Sequence, residues 1–185
     1  MAKTASNMLP LGTYAPHFSL LDVVSGKKVN LNESSKGKIT VVMFICNHCP
    51  YVKHINKELT CLANDYIPKG VKFYAINSNN VESYPDDSPE NMKKTASIEG
   101  YPFPYLFDET QEVAKAYQAA CTPDFYVFDS NLKLSYRGQL DDSRPGNHIA
   151  VTGNSIRQAL DCLLTNQPLD FEQKPSLGCN IKWKD

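Results

Sequence analysis

Apolar residues fall along this chain in two alternating rhythms. From Ile39 to Ile45 the run is almost unbroken, interrupted only by Thr40, and rich in β-branched residues. A run so short and so apolar predicts a strand buried on both faces, as in the centre of an α/β sheet. Directly after it, Val52, Ile55, Leu59, Leu62 and Tyr66 recur at steps of three and four, one face of a helix. Pro68-Lys-Gly70 breaks that helix, and Val71–Ile76 predicts a second strand, so that 39–76 reads as a βαβ unit with parallel strands. Upstream, 18–31 predicts a hairpin turning at Ser25-Gly26, preceded by an irregular lead-in over 1–16 that carries Pro10, Gly12 and Pro16. Downstream, Asn77 to Asp87 is a polar loop, and Asn77, Ser78, Asn79 and Asn80 stand where α/β sheets bind ligands, at the carboxyl end of a strand.

The rest of the pattern is a helix capped by Ser88 with Pro89 in its first turn, running to about Ile98. A short extended piece ends at Leu106-Phe107, and a helix covers about 111–119. Strands follow at Phe125–Phe128 and over 132–137, then a helix over about 148–164 and a Pro-containing tail, 165–185. The expectation is one domain over 1–185: an α/β fold with a central mixed sheet flanked by helices, an N-terminal hairpin and a C-terminal tail extension.

The chemistry lies between the first strand and the first helix, in Cys46-Asn47-His48-Cys49-Pro50. A helix start exposes unpaired N–H groups and partial positive charge, which stabilise a thiolate. The spacing sets the two sulfurs within one turn. On this reading Cys46 is the nucleophile and Cys49 the resolving thiol, with His48 adding charge or a hydrogen bond to the Cys46 thiolate. Pro50 sits where a helix tolerates proline. A zinc site would need a second close pair of ligands. Cys61, Cys121, Cys162 and Cys179 stand singly instead, so no metal site is expected.

Composition narrows the field only modestly. The 185 residues are 42% hydrophobic and 21% charged, with a formal net charge of −1, which points to neither nucleic acid nor a membrane surface as partner. With no stretch of signal-peptide or membrane-spanning length, the expected location is cytoplasmic. There six cysteines stay mostly reduced, and a disulfide is more often catalytic than structural.

Two motifs together carry a resemblance. A βαβ unit with Cys-x-x-Cys at its strand-to-helix turn, followed by Thr122-Pro123 before a strand, resembles the thioredoxin superfamily. Phe18-Ser-Leu-Leu-Asp22, Phe107-Asp-Glu109, Val113-Ala-Lys-Ala-Tyr117 and Thr122-Pro-Asp-Phe-Tyr-Val-Phe-Asp129 are similar to its redoxin and peroxiredoxin-like branch. The segments 44–54, 136–142 and 175–183 are similar to small thioredoxin-family proteins taken to be thiol-disulfide isomerases. The resemblance implies a thioredoxin-like fold and a cis Thr122–Pro123 bond lying beside the two cysteines. It also implies that the backbone before Pro123 hydrogen-bonds a substrate as an added strand. The implied activity is thiol–disulfide exchange with a protein or small-thiol substrate, served by an upstream thiol reductant or oxidant and needing no cofactor. Asn47, His48, Pro50, Thr122 and Pro123 shape the site, while Cys121 and Cys179 are candidates for a third redox thiol. Two alternatives stand beside this. One is a thiol peroxidase, although Cys46 and Val42 replace the Thr and Pro of the peroxiredoxin pattern around Cys49; there Arg137 would supply charge near the thiolate. The other is a soft-metal or copper-binding module, with His148 as third ligand.

Overall fold

The computed structural model describes residues 3–184, so 1–2 of the expected lead-in and 185 of the tail lie outside the described residues. Among the described residues ten strands occur in chain order: β1 Lys3–Ala5, β2 Phe18–Asp22, β3 Lys28–Leu31, β4 Thr40–Phe44, β5 Lys72–Asn77, β6 Tyr105–Phe107, β7 Cys121–Thr122, β8 Asp124–Phe128, β9 Leu134–Gly138 and β10 Leu177–Asn180. The four α-helices are α1 Pro50–Tyr66, α2 Pro89–Glu99, α3 Glu112–Ala116 and α4 Asn154–Leu164. Seven strands form one mixed sheet in the order β3-β2-β6-β5-β4-β8-β9. Within it β4 and β6 run parallel to β5, and the remaining pairs are antiparallel. Among the described residues no helix is long and apolar enough to cross a membrane.

The apolar run of β4 explains why it lies inside. All five of its residues are buried. Val41 and Met43 face a core built with Val52, Ile55, Leu59 and Leu62 of α1, Met92 of α2, and Ile156 and Leu160 of α4. Val42 and Phe44 face the opposite core, with Leu31, Ala114, Tyr117 and Phe128. The period of two along β4 thus feeds two layers of side chains. Each leucine that α1 buries contributes roughly 1.5–3 kcal/mol. Arg157 ties α4 to α1, donating to Glu58 and Asp65 at 2.7 Å each.

The hairpin turns as the pattern predicts: the Asp22 carboxylate accepts from the Val24 and Ser25 N–H groups, and Gly26 takes a left-handed φ of 72°. Three expected boundaries shift. The helix expected over 148–164 begins only at Asn154, because one oxygen of the buried Asp141 accepts both the Thr152 and Gly153 N–H groups at 2.7 Å and holds 148–153 as a loop. The helix expected over 111–119 is confined to Glu112–Ala116 by the left-handed Gln111 and Gln118 at its two ends. Leu132 turns through a positive φ, so the strand expected from 132 starts at Leu134.

The two ends of the chain differ most from expectation. The lead-in is not wholly irregular, and the tail is not merely an extension. Their strands β1 and β10 pair antiparallel, and β10 pairs on its other side with β7, giving a second sheet of order β1-β10-β7.

Asp141→Ala leaves three backbone donors, those of Ser143, Thr152 and Gly153, without their acceptor. Urea unfolding is expected to show a loss of about 2–3 kcal/mol; a variant within about 0.5 kcal/mol of wild type contradicts this account of the loop.

Candidate active site

The site forms where β4 ends and α1 begins. Pro50 is the first residue of α1, and Cys49 is its N-cap. Cys46 therefore lies outside the helix, one turn of loop earlier. Cys49 thus stands at the first turn of the helix, and Cys46, where the sequence reading puts the nucleophile, stands just ahead of it. The Val52 and Lys53 N–H groups of that turn donate to the Cys49 carbonyl oxygen at 3.1 and 3.0 Å.

Both thiols are buried, Cys46 at 2% and Cys49 at 0% exposure. The Cys49 thiol is held below the ordinary thiol value, first by its neighbour Cys46, against the opposing effect of burial, and further by Cys179 and the Val52 N–H. Cys46 is driven well above the ordinary thiol value by burial, then by the hydrogen bond to Cys49 and the nearby negative charge of Asp87.

Thr122 stands against both sulfurs. Its Oγ1 is 3.2 Å from Cys46 Sγ and its carbonyl oxygen 3.3 Å from Cys49 Sγ. The peptide bond joining Thr122 to Pro123 is cis. The Thr122 backbone edge, which the resemblance reserves for a substrate strand, is already occupied. Here β10 pairs with it, Cys179 opposite Thr122 and Asn180 opposite Cys121. That register brings Cys179 Sγ to 2.8 Å from Cys49 Sγ. Burial raises the Cys179 thiol to about 12, with the hydrogen bond to Cys49 adding to the rise. Cys121 lies next door, but its Sγ packs 3.7 Å from the Pro123 carbonyl oxygen, and burial and then Asp124 push its thiol far up. Of the two candidate third thiols, the structure brings only Cys179 into contact with the pair.

The dipeptide between the cysteines is held from outside by Asp87. This fully buried carboxylate accepts from the Asn47 N–H at 2.7 Å, the His48 N–H at 3.3 Å and Asn79 Nδ2 at 2.8 Å. It also bonds the His48 ring through Nδ1 at 2.6 Å. Burial alone would raise the Asp87 carboxyl, but the hydrogen bonds from His48 and Asn79 prevail and hold it below its ordinary value. His48 is therefore turned to Asp87 rather than to the Cys46 thiolate. Its ring stacks on Tyr84, with centroids 5.3 Å apart, and its Nε2 is buried with no hydrogen-bond partner. Asn47 Oδ1 accepts from the Tyr105 hydroxyl at 3.0 Å, which fixes the loop from the sheet side.

Asp87 and Tyr105 were not singled out from the sequence. The available signal for Asp87 was its place in the polar loop leaving β5, immediately before the Ser88-Pro89 helix start. Asn77 and Asn79, expected to line the site, act through Asp87: Asn77 Nδ2 donates to its carbonyl at 3.2 Å, and Asn79 to its carboxylate. Ser78 instead donates to Asp108, and the Asn80 N–H donates to the Lys182 carbonyl. Arg137 does not serve the thiols. Its guanidinium donates to the Leu9 carbonyl at 3.0 Å and to Gln173 Oε1 at 2.8 Å, and its strand position opposite Tyr126 commits it to that contact.

Among the described residues, Cys46, His48 and Asp87 are the His, Cys, Asp or Glu residues whose ligand atoms come together in a group of three, within 4.8 Å of one another. A metal held there would share His48 with the Asp87 ion pair. His148 stands exposed in the loop before α4 and is not in that group, so the copper reading loses its third ligand.

The family model for AhpC/TSA proteins matches residues 11–137. The chain belongs to the AhpC/TSA family. The chain is similar to an uncharacterised conserved protein of Geobacillus kaustophilus, 65% identical over 100% of this chain and 97% of that one, with a TM-score of 0.97. A hypothetical protein of Sinorhizobium meliloti 1021 is 44% identical over 98% of each chain, with a TM-score of 0.94. A thiol:disulfide interchange protein of Chlorobium tepidum TLS, 19% identical, matches 84% of this chain and 99% of its own, with a TM-score of 0.63, and shares the fold. No curated protein matches. The AhpC/TSA assignment and these neighbours make the fold thioredoxin-like, of the redoxin branch, in a family of redox enzymes that act on thiols or disulfides.

Titration of the thiolate absorbance of the reduced protein near 240 nm is expected to show one thiol of the pair ionising below the value of about 8.5 for a free cysteine. Cys49→Ser should remove that step. A titration with no step below pH 8 contradicts the charge placement.

Proposed function

We propose that this chain is a thiol–disulfide oxidoreductase working through Cys46 and Cys49. The observation that carries the reading is the pair itself: two buried thiols at the mouth of α1, both against Thr122. Cys49, as the thiolate, attacks one sulfur of a substrate disulfide presented along the Thr122 edge. The substrate S–S bond breaks, the leaving thiolate takes a proton, and a mixed disulfide forms on Cys49. Cys46 then loses its proton and attacks Cys49. The mixed disulfide breaks, and substrate leaves as a dithiol with Cys46 and Cys49 bonded. The reverse sequence oxidises a dithiol. Electrons enter or leave through another thiol couple, and a cytoplasmic protein or small thiol is the substrate class. In this proposal Cys49 attacks and Cys46 resolves, the reverse of the sequence reading.

A second reading, thiol peroxidase, is favoured by the AhpC/TSA match together with the Cys49 thiolate. There Cys49 is oxidised to a sulfenic acid by peroxide, and a neighbouring thiol displaces water to close the disulfide. Against it, Arg137 is committed elsewhere and Cys46 stands at the Thr position of the peroxidase pattern.

The two readings separate in one comparison, turnover of a model protein disulfide and of hydrogen peroxide with dithiothreitol as donor. Disulfide turnover is expected to fall at least about 100-fold in both Cys46→Ser and Cys49→Ser, as for a group acting in the bond-making step. Peroxide turnover that survives Cys46→Ser, with disulfide turnover absent from wild type, installs the peroxidase reading instead.

A further inference from the structure

The Thr122 edge is where this fold would receive a substrate strand, and β10 lies on it in substrate fashion. Its backbone pairs with Cys121 and Thr122, and its cysteine sits 2.8 Å from the Cys49 sulfur. The seat is specific. A Cβ on Gly178 would come to 2.0 Å from the Thr122 carbonyl oxygen and 3.1 Å from Pro123 Cδ, so only glycine lets the strand approach this closely. On either side the tail is pinned by the protein's own groups. Ser176 Oγ donates to the Pro123 carbonyl at 2.5 Å, the Ile181 N–H to the Ala120 carbonyl at 3.0 Å, and the Lys182 N–H to Asn79 Oδ1 at 2.9 Å. With β10 docked, Cys46 and Cys49 have almost no exposure.

We propose that Cys179 is a third catalytic thiol, carried on β10 as a tethered substrate that exchanges disulfides with Cys49. The proposal rests on the dithiol reading given above. Starting from the Cys46–Cys49 disulfide, Cys179 gives up its proton and attacks Cys49 Sγ. The Cys49–Cys179 bond forms, the Cys46–Cys49 bond breaks, and the Cys46 thiolate takes up a proton beside Thr122 Oγ1. One disulfide and one thiol exist before and after, so no outside oxidant or reductant enters. Bonding of Cys49 to Cys46 removes the charge on Cys49 that opposes ionisation of Cys179 in the reduced protein, and the Lys182 ammonium favours the Cys179 thiolate. The Cys49–Cys179 bond is an internal version of the mixed disulfide formed with an external substrate, and it fastens β10 over the site. Thiols or disulfides of extended segments able to replace β10 on the Thr122 edge are the external substrates this arrangement selects.

The test is disulfide mapping on the full chain. Wild type, Cys46→Ser and Cys46→Ser/Cys179→Ser are equilibrated with oxidised and reduced glutathione, acid-quenched, alkylated and mapped by peptide mass spectrometry. In Cys46→Ser the Cys49–Cys179 bond is expected to dominate, at least about tenfold over the Cys49–glutathione adduct, and the adduct should take over in the double variant. Cys46→Ser giving mainly the glutathione adduct, with Cys179 fully alkylated, overturns the proposal. If wild type then still forms Cys46–Cys49, the dithiol reading survives; if that bond never forms, the dithiol reading falls with it. Gly178→Val supplies an independent arm. With Cys46 and Cys49 intact, it should remove the Cys49–Cys179 species from oxidised wild-type background while the Cys46–Cys49 bond still forms. An unchanged yield of Cys49–Cys179 in Gly178→Val overturns the role of the seated strand.

Discussion

Thr122 is the point to which the site is referred. Its hydroxyl meets Cys46, its carbonyl meets Cys49, and its backbone edge holds the strand that carries Cys179. Three sulfurs from two distant stretches of sequence therefore converge on one residue of a two-residue strand. That convergence needs a rigid frame, which β4 and α1 provide. The strand is buried on both faces, and the helix presses Val52, Ile55, Leu59 and Leu62 into one core. Rigidity in the frame lets weak, directional thiol hydrogen bonds decide which sulfur carries charge.

Asp87 complements this from the other side of the Asn47-His48 loop. A carboxylate in a fully buried position is tolerated because four donors converge on it. Its charge does two things at once. It fixes the loop between the cysteines, and it opposes ionisation of Cys46.

The frame was legible because its signals are local. The apolar run at 39–45, the three-and-four spacing after Pro50, the Ser25-Gly26 turn and the Ser88-Pro89 helix start each specify their element without reference to anything distant. The motif Cys46-Asn-His-Cys49 and the pair Thr122-Pro123 located the site. What escaped was non-local. Nothing in Leu177-Gly-Cys-Asn180 alternates or marks a strand, since β10 is defined by partners at Lys3–Ala5 and Cys121–Thr122. The meaning of Gly178 appears only with the Thr122 carbonyl in place. Likewise periodicity locates a helix to within a few residues, and the step from Cys46 to Cys49 lies inside that margin. Arg137 was misjudged for the same reason, as its partners Leu9 and Gln173 come from the two ends of the chain.

The central claim, a reversible two-electron dithiol at Cys46 and Cys49, is tested most directly by a glutathione redox titration of the full chain that reads the alkylation of Cys46 and Cys49 together. The account predicts that both are protected from alkylation in step. It further predicts a midpoint more oxidising than about −270 mV, thioredoxin's value, because a stabilised Cys49 thiolate favours the reduced form. Cys46 remaining alkylatable at every oxidising ratio, while Cys49 is consumed alone, would contradict it.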